Sequence, residues 1–250
     1  MTTDGPTARR NAVLAGLTDA ELAGLLPHLE EVPLPRGQVL IEPGRPVGSV
    51  HFPTVGVVSL VHELERGDVV EIATVGREGM TGLSVFLGAA EPYERAIVQI
   101  SGHALRMTTG EFQQQLTIVD GPLQASLRRY TQAMFTQLGR NAACNRVHRV
   151  QQRAARWLLL SADRMQSNTF DLTQEFLAQM LAVRRASVSQ VAQALADAGC
   201  ISYTRGSITI LDEEKLHAHA CQCYDVITRA TEQAMSLGDP ARSRHGSPAR

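Results

Sequence analysis

Four potential metal ligands lie close together near the C-terminus, in the segment HAHACQCY: His217, His219, Cys221 and Cys223. Thiolates and imidazoles are the side chains that zinc prefers in proteins. If the segment is one helix, residues four positions apart share a face, so His217 pairs with Cys221 and His219 with Cys223 on different faces. Each pair is only half of a tetrahedral site. The sequence therefore predicts no metal site, and a metal- or redox-responsive regulator using the two pairs remains an alternative.

A second set of residues could bind nucleic acid. The segment AVRRASVSQ contains Arg184 and Arg185 followed by hydroxyl and amide side chains, which are the groups that contact phosphates and base edges. The net charge is only −1, but residues 140–211 contain 9 arginines against 4 acidic residues, whereas residues 1–139 contain 10 arginines against 15. A local basic excess of this kind indicates a module that faces phosphates.

Two short helices must position these side chains. Thr173 is a suitable N-cap for the first, and a tight turn over residues 182–184 leads to the second, which Gly199 ends. Apolar residues on the second helix repeat at steps of three and four and are predicted to face inward: Val188, Val191, Ala192, Leu195 and Ala198. The opposite, outward face carries Arg185, Ala186, Ser189, Gln190 and Gln193. The following CISYTRGSITIL predicts a hairpin with Arg205 at its tip, so that the whole unit is a winged helix-turn-helix.

Two other patterns precede this unit. Ten of the twenty glycines lie within residues 37–102 and separate short, Val- and Ile-rich runs, which predicts an antiparallel barrel or jelly roll. From Pro122 to Val147 the spacing predicts a long helix with a narrow apolar stripe: Leu123, Leu127, Tyr130, Met134 and Leu138. Such a stripe could pack on its own domain, but its spacing also suits a seam between two helices, and we predict a homodimer formed through it.

The chain resembles the CRP/FNR superfamily, the bacterial transcription regulators related to the cyclic-AMP receptor protein, in the order of its parts. The resemblance is most specific in the segment LTQEFLAQMLAVRRASVSQVAQALADAGCISYTRGSI. The resemblance implies an α+β chain with a cyclic-nucleotide-binding-type β-roll, a long dimerisation helix and a C-terminal winged helix-turn-helix. The corresponding divisions are an N-terminal tail (1–19), the β-roll sensor domain (20–120), the dimerisation helix (121–147), the winged helix-turn-helix with a C-terminal helix (148–235) and a disordered tail (236–250). It further implies a homodimer that binds a roughly palindromic operator in double-stranded DNA, contacts RNA polymerase and responds to an unidentified small-molecule effector in the β-roll.

Carried over position by position, Arg185, Ala186 and Gln190 stand where the family reads base edges, and Ser187 stands where a hydroxyl group holds phosphate. The cyclic-AMP receptor protein has Arg, Glu and Arg at the three reading positions, so Ala186 loses an acceptor for cytosine and Gln190 suits adenine better than guanine. Arg185 is then the candidate for a guanine contact, and Arg184 and Arg205 are candidates for phosphates. The predicted DNA-binding residues also include Thr173, Ser189 and Gln193.

The sensor half departs further from the family pattern. Members that bind cyclic nucleotides have a Gly-Glu pair and an Arg-Ser or Arg-Thr pair, whereas here Gly82 is followed by Leu83 and Arg95 by Ala96. Cyclic AMP binding is therefore not expected, and a salt-bridged Arg95 is the simpler interpretation. If another effector binds the β-roll, the candidate pocket residues are Gly82, Leu83, Arg95 and Ala96.

No cofactor is expected either. An iron-sulfur cluster of the family type would need N-terminal cysteines, and the first cysteine is Cys144. Haem would need an axial ligand in the β-roll, and His51, His62 and His103 are lone histidines without supporting motifs.

Other functional classes lack their motifs. The H-x-H spacing of β-roll oxygenases occurs only at His217 and His219, outside the β-rich region, and GxSxG and GxxxxGK[ST] motifs are absent from the sequence, so we do not expect an enzyme. The sequence also predicts no membrane span and no secretory signal, which favours the cytoplasm. A β-roll module that binds proteins instead of DNA remains an alternative.

Overall fold

The computed structural model describes residues 3–65, 69–89, 91–117, 121–204 and 206–236. The chain begins with three short helices, α1 (Gly5–Ala8), α2 (Ala12–Ala15) and α3 (Asp19–Leu25), and a 3-10 turn at Leu26–His28. Ala8, Val13 and Leu14 of this segment are fully buried in the first hydrophobic core. Residues 3–19 are therefore part of the folded domain, and the predicted N-terminal tail is corrected, because apolar side chains along these short helices pack into the same core as the strands.

An antiparallel sheet forms the N-terminal domain, as the glycine and valine pattern predicts. Its strands are β1 (Glu30–Leu34), β2 (Val39–Ile41), β3 (Ser49–Glu63), β4 (Val69–Val75) and β5 (Arg95–Thr108), with the short helix α4 (Leu83–Phe86) before β5 and α5 (Thr109–Gln115) after it. The strand order is β1-β5-β3-β4, and β2 also pairs with β5. β3 and β5 pair along most of their length, with Phe52 opposite Leu105, and their buried side chains form the core of the β-roll.

The long helix α6 (Pro122–Val147) follows, but its apolar stripe packs on its own chain. Leu123, Leu127, Tyr130 and Met134 are buried in the core of the β-roll, and Leu138 packs against that core. The ring of Tyr130 fills the space beside Gly79, where an added Cβ would lie 2.1 Å from it. The assignment of these five side chains to a seam between two copies is corrected, because the sheet supplies a nearer apolar surface.

The C-terminal domain contains α7 (Val150–Met165), β6 (Thr169–Asp171), α8 (Gln174–Met180), α9 (Arg185–Asp197), β7 (Ile201–Thr204), β8 (Ser207–Ile210), α10 (Glu213–His219) and α11 (Cys223–Ser236). The sheet order is β6-β8-β7, so the predicted hairpin gains a third strand. Side chains of α7 form much of the core of this domain. α11 lies along α6, where Arg129 Nε donates to the carbonyl oxygen of Ala234 at 3.0 Å. The predicted disordered tail lies outside the described residues except for Ser236, which ends α11.

Buried polar contacts join the two domains. The guanidinium of Arg164 on α7 forms an ion pair with Glu78 (Nε to Oε1, 2.8 Å) and donates to Thr74 Oγ1 (2.6 Å) and to Gln137 Oε1 on α6 (3.1 Å). Arg164 is 5% exposed, so the charge is held almost entirely by protein groups. One arginine thereby fixes the β-roll, the long helix and the C-terminal domain relative to one another. Among the described residues, no helix has the length and apolar character needed to cross a membrane.

Candidate nucleic-acid interface

The first helix of the helix-turn-helix, α8, begins where the sequence predicts. Thr173 caps α8, and its Oγ1 accepts a hydrogen bond from the backbone N–H of Phe176 at 3.3 Å. The chain then turns at Ala182, which has φ 50, in the left-handed region that residues with a Cβ seldom adopt. The backbone N–H of Val183 donates to Ala178 O (3.0 Å), and Arg153 Nη2 donates to Leu181 O (2.6 Å), so the turn is fixed both by its own backbone and by α7.

α9 packs inward on Val188, Ala192 and Leu195, which are buried, while Val191 is half-buried. Ala198, also predicted to face inward, is exposed because the helix ends at Asp197 and Ala198 is its C-cap. Gly199 follows with φ 71, the left-handed conformation that ends many helices. The prediction that Gly199 ends the helix is confirmed.

The outward face of α9 carries most of the predicted DNA-binding residues. Arg184, Arg185, Ala186, Gln190 and Gln193 are exposed, and Ser187 and Ser189 are half-buried. α9 contains one acidic residue, Asp197, and Gln193 Nε2 donates to its Oδ1 at 2.7 Å. The N-terminal two turns of α9 therefore present guanidinium and amide donors without a carboxylate on the helix beside them.

Two of the predicted DNA contacts have structural partners inside the protein. Ser189 Oγ donates to Gln174 Oε1 at 2.6 Å, a hydrogen bond that joins α9 to α8. The Thr173 hydroxyl is both the cap of α8 and the acceptor of a hydrogen bond from Arg36 Nη2 at 3.1 Å. Ser189 therefore links α9 to α8, and Thr173 links α8 to the β-roll.

Arg36 also belongs to this surface, although no sequence pattern predicts it. It follows β1 in the β-roll, is exposed, and its guanidinium lies 5.1 Å from the ring centroid of Phe176 on α8. With Arg185 and Gly206 it lines one concave surface that also includes Thr173, Gln174, Glu175, Phe176 and Tyr203. No local pattern could indicate this contact, since Arg36 and Thr173 are 137 residues apart in the chain.

The wing lies next to the helix-turn-helix. β7 and β8 pair with Thr204 opposite Ser207, Gly206 has φ 87, and its carbonyl accepts from the backbone N–H of Leu172 at 2.7 Å. Tyr203 Oη donates to Leu172 O at 2.9 Å, which ties the wing to the start of α8. Arg205, predicted to contact phosphate, lies outside the described residues.

The residues predicted to form an effector pocket have other contacts. Arg95 pairs with Glu42 (Nε to Oε2, 3.0 Å) and with Glu63 (Nη1 to Oε2, 3.5 Å), in agreement with a salt-bridged arginine. Ala96 is fully buried in β5. Gly82 has φ 80 and begins the turn into α4, so that Leu83 starts that helix. Nothing in these contacts resembles a cradle for a cyclic phosphate, and an effector site at these four residues stays a prediction.

The cysteine and histidine pairs near the C-terminus differ from the prediction. α10 ends at His219 and α11 begins at Cys223, so the segment is not one helix and the pairing of His217 with Cys221 and of His219 with Cys223 is wrong. His217 Nε2 instead forms a hydrogen bond with Asp225 Oδ1 at 2.7 Å. Cys221 and Cys223 turn inward and are buried.

Comparison with known proteins agrees with this architecture. Residues 152–219 match the Crp-like helix-turn-helix domain. None of the curated proteins matches the chain. Among solved structures, FixK2 from Bradyrhizobium japonicum has 15% sequence identity and a TM-score of 0.65 over 77% of this chain and 98% of its own. A CRP-family transcriptional regulator from Thermus thermophilus has 19% identity and a TM-score of 0.63 over 76% and 96%. The c-di-GMP-responsive regulator CLP from Xanthomonas campestris has 14% identity and a TM-score of 0.62 over 78% and 100%.

The fold and the site thus define a β-roll protein with a winged helix-turn-helix. The chain contains a Crp-like helix-turn-helix domain and has the fold of the CRP/FNR transcription regulators, as the sequence motifs predict.

Proposed function

We propose that the protein is a sequence-specific DNA-binding transcription regulator that acts as a homodimer. The observation that carries the proposal is the exposed start of α9, where Arg184, Arg185, Ala186 and Gln190 all face outward. A recognition helix inserts its N-terminal residues into the major groove, and these are the residues placed to reach base edges.

The side chains at this helix end assign distinct roles. Arg185 suits a bidentate contact with guanine, and Gln190 suits adenine. Arg184, at the N-cap of α9, lies where a phosphate next to the groove would be, and the positive end of the helix dipole adds to the attraction. Ala186 provides only an apolar contact, which fits a thymine methyl group. Ser187 supplies a hydroxyl for phosphate.

The exposed face of α6 supports dimerisation, although not through the stripe predicted from the sequence. Gln132, Phe135, Gly139, Ala142 and Arg146 are spaced by three, four, three and four residues, the repeat of a two-helix seam. Phe135 is 66% exposed, and an added Cβ on Gly139 would meet nothing within 4 Å. An apolar ring beside small residues allows close approach of a second copy of α6. Two such copies would place the recognition helices in successive major grooves about 34 Å apart.

Control by an effector is the further part of the proposal. The buried contacts of Arg164 couple the β-roll and α6 to α7, so a ligand that favours one arrangement of the β-roll would change the spacing of the two recognition helices. The effector would be a small molecule bound in the β-roll, and the DNA-bound dimer would contact RNA polymerase.

Selection of bound duplexes from a random DNA pool, across a salt series, tests the proposal. The wild type should enrich a two-fold motif with half-sites one helical turn apart. Arg185→Ala should weaken binding to that motif by about 1 to 3 kcal/mol and relax the base preference at one position of each half-site. Arg229→Ala, which removes an exposed arginine from α11, is the charge-matched control.

Failure of the wild type and of Arg185→Ala to bind DNA at low salt would contradict the proposal and favour a protein-interaction module. Equal binding by wild type and Arg185→Ala would contradict the role of α9.

A further inference from the structure

Four potential metal ligands meet where the end of α6 contacts the start of α11, away from the outward face of α9. The Sγ atoms of Cys144, Cys221 and Cys223 and a ring nitrogen of His148 all lie within 4.8 Å of one another. The three cysteines are 0%, 4% and 2% exposed, and His148 is half-buried. They form a cluster separate from the two large apolar cores.

Three of the six distances among the four atoms are close to the edges of a tetrahedron around one ion, and the others are at most 4.8 Å. Cys144 Sγ lies 3.4 Å from Cys221 Sγ and 3.4 Å from His148 Nδ1, and Cys223 Sγ lies 3.8 Å from the same nitrogen. With zinc–sulfur bonds of about 2.3 Å and zinc–nitrogen bonds of about 2.0 Å, the edges of a tetrahedral site are about 3.5 to 3.8 Å long. Small adjustments of the thiol rotamers would suffice to bring each atom to bonding distance.

Local structure explains how the ligands come together. Cys144 and His148 are four residues apart at the end of α6, so they lie on one face, and His148 leaves the helix with φ −90 and ψ 146. Cys221 lies in the turn between α10 and α11, and Cys223, two residues later, begins α11.

The charge around the cluster also suits a metal thiolate. Three thiolates and one divalent ion carry a net charge of −1, which would be costly to bury alone. The buried guanidinium of Arg156 on α7 lies close enough to act electrostatically on Cys144 and Cys221. Its Nη1 donates to Asn141 Oδ1, while its Nε has no hydrogen-bond partner among the described residues. Arg153, also buried on α7, acts electrostatically on the same two cysteines, so positive charge lies beside the expected negative charge.

We propose that Cys144, His148, Cys221 and Cys223 bind one zinc ion as a structural site. Thiolates and imidazole select zinc over calcium or magnesium, and four protein ligands leave no open position for catalysis. A cluster of several iron atoms does not fit, because ligands that bind different irons would lie farther apart than these four atoms do. The sequence alone predicts no metal site because pairing along one helix omits Cys144 and His148.

The ion would fix the junction between α6 and α7 at His148, and it would hold α11 against α6. This site does not depend on DNA binding, so its test is independent of the proposed function.

Metal analysis of the purified full-length protein, reduced and dialysed against a weak chelator, tests the proposal. The wild type should retain about one zinc per chain. Cys144→Ser, Cys223→Ser and His148→Ala should each retain less than about a tenth of that amount. Cys200→Ser is the matched control because Cys200 is also fully buried but lies outside the cluster, and His217→Ala is the control for histidine. Both controls should bind zinc as the wild type does.

Cobalt substitution of the wild type gives a readout that does not require the variants to fold. The metal-free protein titrated with Co²⁺ should develop thiolate-to-metal charge-transfer absorption and the intense visible bands of a tetrahedral site, saturating at about one equivalent. Zinc should then displace cobalt. Wild-type protein that takes up neither metal after reduction would overturn the proposal. So would an intrachain disulfide within the cluster that persists in the reduced, zinc-supplemented preparation, because a bonded pair of sulfurs could not ligate the ion as two thiolates.

Discussion

The indole Nε1 of Trp157 on α7 donates a hydrogen bond to Oε1 of Glu71 on β4 at 3.0 Å. Ser59 Oγ donates to the other carboxylate oxygen at 2.6 Å, so a fully buried acid lies at the contact between the β-roll and the C-terminal domain. Burial raises the pKa of Glu71 from 4.5 to about 7, although Ser59, Arg156, Trp157 and Arg164 oppose the shift. The junction of the two domains therefore contains a group that titrates near neutral pH.

Glu71→Gln should flatten the pH dependence of stability. Because the folded-state pKa is above the unfolded value, Glu71 stabilises the fold most below about pH 4.5, and this contribution of roughly 3 kcal/mol is lost as the pH rises towards 7. The glutamine side chain does not titrate. The free energy of unfolding of the variant should therefore not fall in this way as the pH rises. Denaturant unfolding between about pH 5 and 8 is the measurement. The exposed Glu214→Gln is the control, and parallel curves for Glu71→Gln and wild type would show that Glu71 does not titrate in this range.

Ala182→Gly should stabilise the protein, against the usual effect of glycine. Ala182 has φ 50, where a Cβ costs about 1 to 2 kcal/mol. Glycine removes this cost, but it also makes the unfolded chain more flexible, which offsets part of the gain in stability. A net gain of roughly 0.5 kcal/mol in the free energy of unfolding is expected. Ala194→Gly, at an exposed site inside α9, should instead cost about 1 kcal/mol. Chemical denaturation of both variants measures the contrast, and a loss of stability in Ala182→Gly equal to that of Ala194→Gly would contradict strain at the turn.

The local sequence predicts the helix-turn-helix well because its determinants are local. The spacing of Val188, Ala192 and Leu195 and the left-handed conformation of Gly199 define α9 without reference to the rest of the chain. The long helix is different: periodicity shows that Tyr130 faces an apolar surface, but it cannot show whether that surface belongs to the same chain or to a second copy.

The cysteine cluster and the Arg36 contact are beyond local sequence patterns for a related reason. Cys144 and Cys221 are 77 residues apart, and only the docking of α11 on α6 brings them together. Arg36 reaches Thr173 only because the C-terminal domain lies against the β-roll. Contacts of this kind depend on how elements assemble, which spacing within one element does not encode.

Phe135→Glu should dissociate the proposed dimer without unfolding the chain. The side chain is 66% exposed, so the charge costs little in one copy, whereas two such charges would face each other across a seam. The dissociation constant of the dimer should rise by roughly tenfold or more, as for a central aromatic contact. Sedimentation velocity over a concentration series measures it. Tyr93→Glu, which changes an 85% exposed aromatic residue in the β-roll, is the control. Unchanged mass of the Phe135 variant at low concentration would place the dimer contact elsewhere.

Arg36→Ala should weaken DNA binding although Arg36 belongs to the β-roll. Its exposed guanidinium lines the same concave surface as Arg185, so it adds positive charge beside the recognition helix. Loss of one phosphate contact should reduce the slope of log affinity against log salt by about 1 and lower affinity nearly equally for different sequences. Fluorescence anisotropy with the selected operator and a scrambled duplex measures both effects. The control is Arg45→Ala, since Arg45 is an exposed arginine in another loop of the β-roll. Arg36→Ala could instead leave the salt slope unchanged and weaken the contact between the β-roll and the C-terminal domain. The role of Arg36 would then be limited to holding Thr173 and Phe176 in place.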